Sequence, residues 1–186
     1  MSKWTIRGLI FTALFAAVLI VLSFMKVSLF FTPVPITLAT LGVMLTGSFL
    51  GARYGAMSVL LVLLIALVGF PVVGGGGGMA LYTGPTAGYV IAWPFAAFFI
   101  GWFAQRMEPG RASLVKLTVV NFLFGSLLLY PTGASWMAHV LHSTSAVDVL
   151  LDGVLPFLPG DFLKALVCAF VVTAVWRVYP MKRIVG

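Results

Sequence analysis

The sequence predicts an all-α integral membrane protein with six transmembrane helices. Three observations carry that expectation. Of 186 residues, 62% are hydrophobic and only 8% are charged. Soluble domains carry roughly 25% charge, so this chain has too little to cover a globular surface. The apolar residues fall into runs that match the length of a bilayer-spanning helix, about 20 residues each. Six such runs with short connections nearly exhaust the chain. Finally, the basic residues sit at alternating connections, the pattern that orients a multi-pass protein.

The same composition excludes a disordered or collagen-like chain. The charge balance is basic, with 11 Lys plus Arg against 4 Asp plus Glu and a net charge of +7. The basic residues are single and separated by apolar stretches, with no basic helix face, so nucleic acid is not expected as a partner. Cys168 is the chain's one cysteine. It excludes an intrachain disulfide and a thiolate metal cluster, and it reads as a small core residue.

The chain reads as a single membrane domain over 1–186. The first helix is expected at about 4–25. Lys3 and Arg7 before it suggest a signal peptide, but the apolar run is long and no small-residue cleavage pattern follows. Pro33 and Pro35 favour extended backbone, and a second helix follows at about 36–50. Gly51-Ala52-Arg53 makes a turn into a third helix at about 54–68. The segment 69–85 is an irregular connection that contains five consecutive glycines, Gly74 to Gly78. A fourth helix is expected at about 86–104, a fifth at about 113–130 and a sixth at about 161–179, with 131–160 as a second long loop.

With the N terminus in the cytoplasm, six crossings place Lys3, Arg7, Arg53, Arg106, Arg111, Lys116, Arg177, Lys182 and Arg183 inside. Both termini are then cytoplasmic, as the positive-inside rule requires. Lys26 and Lys164 face outward, together with the loops 69–85 and 131–160. Irregular backbone is tolerated at membrane depth only where it is buried in protein or lines a cavity. An outward-facing binding site closed by these loops is therefore expected.

Asp161 and Lys164 are the sharpest candidates. Three residues apart, they share one helix face at the start of an apolar helix, where charge is expensive. The plainer alternative makes Asp161 a helix N-cap and Lys164 a snorkelling interfacial residue. As a pair they offer an acceptor beside a donor, which suits a neutral polar head such as a ureido ring. The glycine run lacks the Lys-Ser/Thr of a nucleotide-phosphate loop, so the chain has no ATPase motif. Its alternatives are a flexible outer loop or a close backbone approach to a ligand. Thr86 opens the fourth helix, whose N-terminal dipole favours a carboxylate. Tyr82, Tyr89, Trp93 and Trp136 lie on outward segments, where headgroup anchoring competes with ligand contact. On the first helix, Gly8, Thr12 and Ala16 form one small-residue stripe, and Ala13 and Ala17 form another. Such stripes permit close helix approach, within the chain or to a partner.

An enzyme is not expected. Gly133-Ala134-Ser135-Trp136-Met137 is half of a nucleophile elbow, but Met137 replaces its final glycine. His139 and His142 have no carboxylates or thiolates to complete a metal site.

These residues resemble the BioY family. The similarity rests on Thr32-Pro33-Val34-Pro35-Ile36-Thr37-Leu38, on Leu45 to Ala56, and on Gly69-Phe70-Pro71-Val72. It continues through Gly84-Pro85-Thr86-Ala87-Gly88-Tyr89 to Leu155-Pro156-Phe157-Leu158-Pro159-Gly160-Asp161-Phe162-Leu163-Lys164. The resemblance implies the biotin-binding S component of an energy-coupling factor (ECF) transporter in a bacterial or archaeal cytoplasmic membrane. It implies partners as well, namely a transmembrane coupling protein (T component) and two ABC-type ATPases. No cofactor is implied. Ala13 and Ala17 are similar to the family's partner-docking motif. Asp161, Lys164, Tyr89, Thr86, Trp93, Gly75, Gly76, Tyr82 and Thr37 form the expected substrate-binding set. Ala39 departs from the pattern, because many members carry Gln there. An S component for another vitamin, or a transporter acting without ATPases, are the alternatives.

Overall fold

The structure is a computed structural model that describes residues 5–27, 35–108, 110–142 and 145–179. It is mostly helical. Helix α1 (Ile6–Phe24) leads to a two-stranded antiparallel ladder, β1 (Lys26–Val27) against β2 (Ile36–Thr37), with Lys26 opposite Thr37. Helix α2 (Ala39–Leu67) follows, then the short α3 (Met79–Thr83), α4 (Ala87–Ala104) and α5 (Arg111–Phe122). A π-helical segment (Leu123–Leu127) joins α5 to α6 (Leu129–Val140), and α7 (Ala146–Gly153) and α8 (Leu158–Trp176) complete the order. Among the described residues, five helical stretches are long and apolar enough to cross a membrane: Ile6–Phe24, Ala39–Leu67, Ala87–Ala104, Ala112–Val140 and Val149–Trp176.

Helix α2 is not straight. At Gly51 the backbone leaves the helix with φ +76°, a conformation that favours glycine. A Cβ on Gly55 would lie 3.1 Å from the Gly47 Cα. In one continuous helix those residues are about 12 Å apart, so the chain doubles back at Gly51. The turn expected at 51–53 is therefore present, and Ala39–Leu67 is two helical arms joined at Gly51. Gly101 of α4 packs on this turn so closely that any Cβ there would overlap the Gly51 and Ala52 backbone.

The stretch 131–160, expected as a loop, is largely helical and holds most of α6, α7 and the start of α8. Pro131 suggests a stop, but it falls in the first turn after the π segment, where a missing N–H is tolerated. Helix α8 likewise begins at Leu158 rather than Asp161, because Pro159 occupies its first turn. Segment 69–85 also contains α3. Trp4 and residues 180–186 of the expected terminal segments lie outside the described residues, as do Thr32, Pro33 and Val34 of the family motif.

Two apolar clusters fill the interior. One gathers Phe49, Leu50, Tyr54, Ala104 and Trp176, at the end that carries the Gly51 turn. The other gathers Ala39, Val90, Trp93 and Leu129 toward the opposite end, beneath the glycine run. Gly8, Thr12 and Ala16 are buried against the rest of the chain, whereas Ala13 and Ala17 are exposed. The two stripes of α1 therefore differ: one packs internally and the other is left open.

Candidate functional site

A cavity of about 550 Å³ opens at the end of the bundle that carries the glycine run, within the range of small-molecule pockets. It lies among the ends of α1, α2, α4, α6 and α8. Asp161 and Lys164 are nearly inaccessible, at 4% and 8% exposed, and both line it.

Helix α8 brings them together. With Pro159 absorbed into its first turn, the Asp161 N–H donates to the Phe157 carbonyl at 2.8 Å. The Asp161 side chain is thereby freed from capping; the N-cap position belongs to Phe157, which makes no side-chain cap bond. Lys164 Nζ donates to Asp161 Oδ1 at 2.8 Å and to Thr40 Oγ1 at 3.1 Å. The Tyr130 hydroxyl donates to Asp161 Oδ2 at 2.9 Å. An ion pair this buried persists only when both partners are hydrogen-bonded, and Tyr130 and Thr40 meet that need. The network is not saturated. A carboxylate offers about four acceptor positions, and an ammonium has three donors. Asp161 can accept further N–H groups, and Lys164 retains one N–H to donate. Such an arrangement recognises a neutral head that carries both N–H and C=O.

The remaining wall is mostly apolar. Trp93 and Tyr89 line it from α4, with Leu129, Val90 and Phe157 nearby. The Tyr89 hydroxyl donates to the Gly153 carbonyl at 2.6 Å. Its ring lies flush on Gly133, where any Cβ would overlap it. Gly133 therefore seats an aromatic wall and is not part of a nucleophile elbow. The Ser135 hydroxyl donates to carbonyls of its own helix, and His139 and His142 are exposed.

The glycine run forms the rim in a tightly built turn. Val73 and Gly76 exchange backbone hydrogen bonds, and Gly74 and Gly75 both have positive φ, as a type I′ turn requires. Ser23 at the end of α1 accepts from the Gly74 N–H at 2.9 Å, and its single hydroxyl proton is shared between the Ile20 carbonyl at 2.6 Å and the Val72 carbonyl at 3.0 Å. Lys26 Nζ donates to the Gly74 carbonyl at 2.7 Å. These bonds tie the rim to the end of α1 and to β1.

Of the residues singled out from sequence, Asp161, Lys164, Tyr89, Thr86, Trp93, Gly75, Gly76 and Thr37 line the cavity. Tyr82 does not. Its hydroxyl is turned to the Leu63 carbonyl, and burial raises its pKa. It pins α3 to α2. Trp136 is also outside the wall, with Nε1 donating to the Gly84 carbonyl. Ala39 is fully buried in the wall, beside Thr40. Sequence reasoning passed over Tyr130, Thr40 and Lys26. The phase of the helix explains Tyr130. Tyr130 follows the π segment Leu123–Leu127, and in an unbroken α-helix it would lie on the face opposite the buried Asn121. A π turn shifts the following face by about 100°, which carries Tyr130 into the cavity.

A BioY family model matches residues 1–181. The biotin transporter BioY of Rhizobium etli is 41% identical over 183 residues, covering 94% of this chain and 96% of that protein. The biotin transporter BioY of Lactococcus lactis is 36% identical, covering 90% and 89%. The crystal structure of the S-component for biotin from an ECF-type ABC transporter superposes with a TM-score of 0.88 at 32% identity. That match covers 97% of this chain and 96% of the other. The chain belongs to the BioY family.

Proposed function

We propose that this chain captures biotin at the outer face of a bacterial or archaeal cytoplasmic membrane, as the S component of an ECF-type transporter. It is a multi-pass transporter subunit and not an enzyme. The observation that carries the reading is the buried Asp161–Lys164 pair in the cavity wall, in a chain whose relatives are named biotin transporters.

Asp161 accepts the ureido N–H groups, and the spare Lys164 N–H donates to the ureido oxygen. The bicyclic ring lies between Tyr89 and Trp93. The carboxylate points away from Asp161, since two like charges in contact repel strongly in a low-dielectric cavity. It lies toward the rim, near Gly75, Gly76, Thr37 and Thr86. The rim acts as a lid that is tied to α1.

The topology has six crossings, the five membrane-length stretches with Ala39–Leu67 counted as two. The doubling back at Gly51 makes two passes of α2, and both termini then lie in the cytoplasm with the basic turns. The exposed Ala13 and Ala17 face lets a T component approach α1 closely, and two ABC-type ATPases supply the energy that this chain has no motif to supply.

The test is titration of detergent-purified protein with biotin, and with other vitamins in competition, read by tryptophan fluorescence and calorimetry. Saturable one-site binding in the nanomolar range, displaced only by biotin, is expected. Folded protein that ignores biotin and binds another vitamin overturns the ligand but leaves the S-component architecture.

A further inference from the structure

Three charged side chains line the cavity among the described residues: Lys26, Asp161 and Lys164. Asp161 and Lys164 neutralise each other at 2.8 Å. Lys26 is different. It stands at the mouth on β1, opposite Thr37 in the ladder. Its ammonium is held over the rim by the neutral Gly74 carbonyl at 2.7 Å, and no carboxylate pairs with it among the described residues. The wall therefore carries one cation in excess, and two of the three Lys26 N–H donors are left over.

We propose that Lys26 is the cavity's anion anchor. It takes the free carboxylate of the ligand, so that the site selects a monoanionic acid with a neutral ureido head over its amides and esters. This rests on the biotin reading above.

The rival anchors are weaker. Lys164 touches Asp161, so a ligand carboxylate there meets a like charge. The backbone donors of the glycine run are mostly engaged: Gly74 N–H by Ser23, Gly76 N–H by Val73 and Gly78 N–H by Ala66. The start of α4 offers only a partial dipole charge. Lys26 brings a full charge to the exposed mouth of the cavity, where solvent screens an ion pair without abolishing it.

The test compares biotin with biotinamide, which keeps the ureido ring and loses the charge. Wild-type protein is expected to prefer biotin by about twofold to fivefold, the range of an ion pair at an exposed position. Rising salt narrows that preference. In Lys26→Gln the ratio falls to about one, mainly by weaker biotin binding, and Lys26→Arg keeps it. A Lys26 that only latches the rim through Gly74 weakens both ligands alike and leaves the ratio unchanged, and that result overturns the proposal. Wild-type protein that binds neither compound removes the biotin reading and the anchor with it. Wild-type binding with an unmoved Lys26→Gln ratio removes the anchor alone.

Discussion

Tyr130 and Thr40 are the residues that make a buried ion pair tenable, since each fills a hydrogen-bonding position that lipid and apolar neighbours leave empty. Tyr130→Phe removes a donor from a buried carboxylate. It is expected to lower unfolding stability by ~1–2 kcal/mol and to weaken biotin binding, with thermal denaturation and calorimetry as the checks. Gly133→Ala acts through a neighbour. The added methyl overlaps the Tyr89 ring, and overpacking of this kind costs ~1–3 kcal/mol. Biotin affinity is expected to fall with it, and unchanged affinity in a fluorescence titration contradicts the place given to Tyr89. Asp161 and Lys164 were legible in the sequence because acids are rare in this chain and charge is expensive in an apolar helix. Tyr130 was not legible. A regular helical count from Asn121 points elsewhere, and nothing in the sequence around Leu123–Leu127 announces the wider turn.

At the level of elements, glycine decides where helices meet and reverse. The turn at Gly51 and its contact with Gly101 fix the hairpin of α2 against α4. Gly101→Ala forces backbone against backbone, which a side-chain rotation cannot relieve. A loss of ~3 kcal/mol or more is expected, measured as poor recovery of folded protein and a lowered melting temperature. Near-normal stability contradicts the close packing at that turn. The Gly51-Ala52-Arg53 turn and the long apolar helices were readable from composition and spacing. The 131–160 segment was not, because Pro131, Pro159 and its polar residues imitate a loop. Those prolines fall in first turns, where helices accept them. Tyr82 misled for a related reason. Aromatic position alone does not reveal that the hydroxyl is turned back to Leu63.

For the whole molecule, the cavity and the proposed docking face are separate. The cavity sits at one end of the bundle, whereas the Ala13 and Ala17 face runs along the outside of α1. Ala13→Trp is expected to leave biotin affinity unchanged and to abolish assembly with the T component. Co-purification with the coupling module checks this, and an intact complex places the docking face elsewhere. The most direct test of the central claim is calorimetric titration of Asp161→Asn with biotin, on protein shown to be folded by its melting transition. A loss of about tenfold to a hundredfold or more is expected, because a charged acceptor is removed and Lys164 is left without its counter-ion. An affinity equal to that of the wild type contradicts the reading of Asp161 and Lys164 as the pair that recognises the ureido ring.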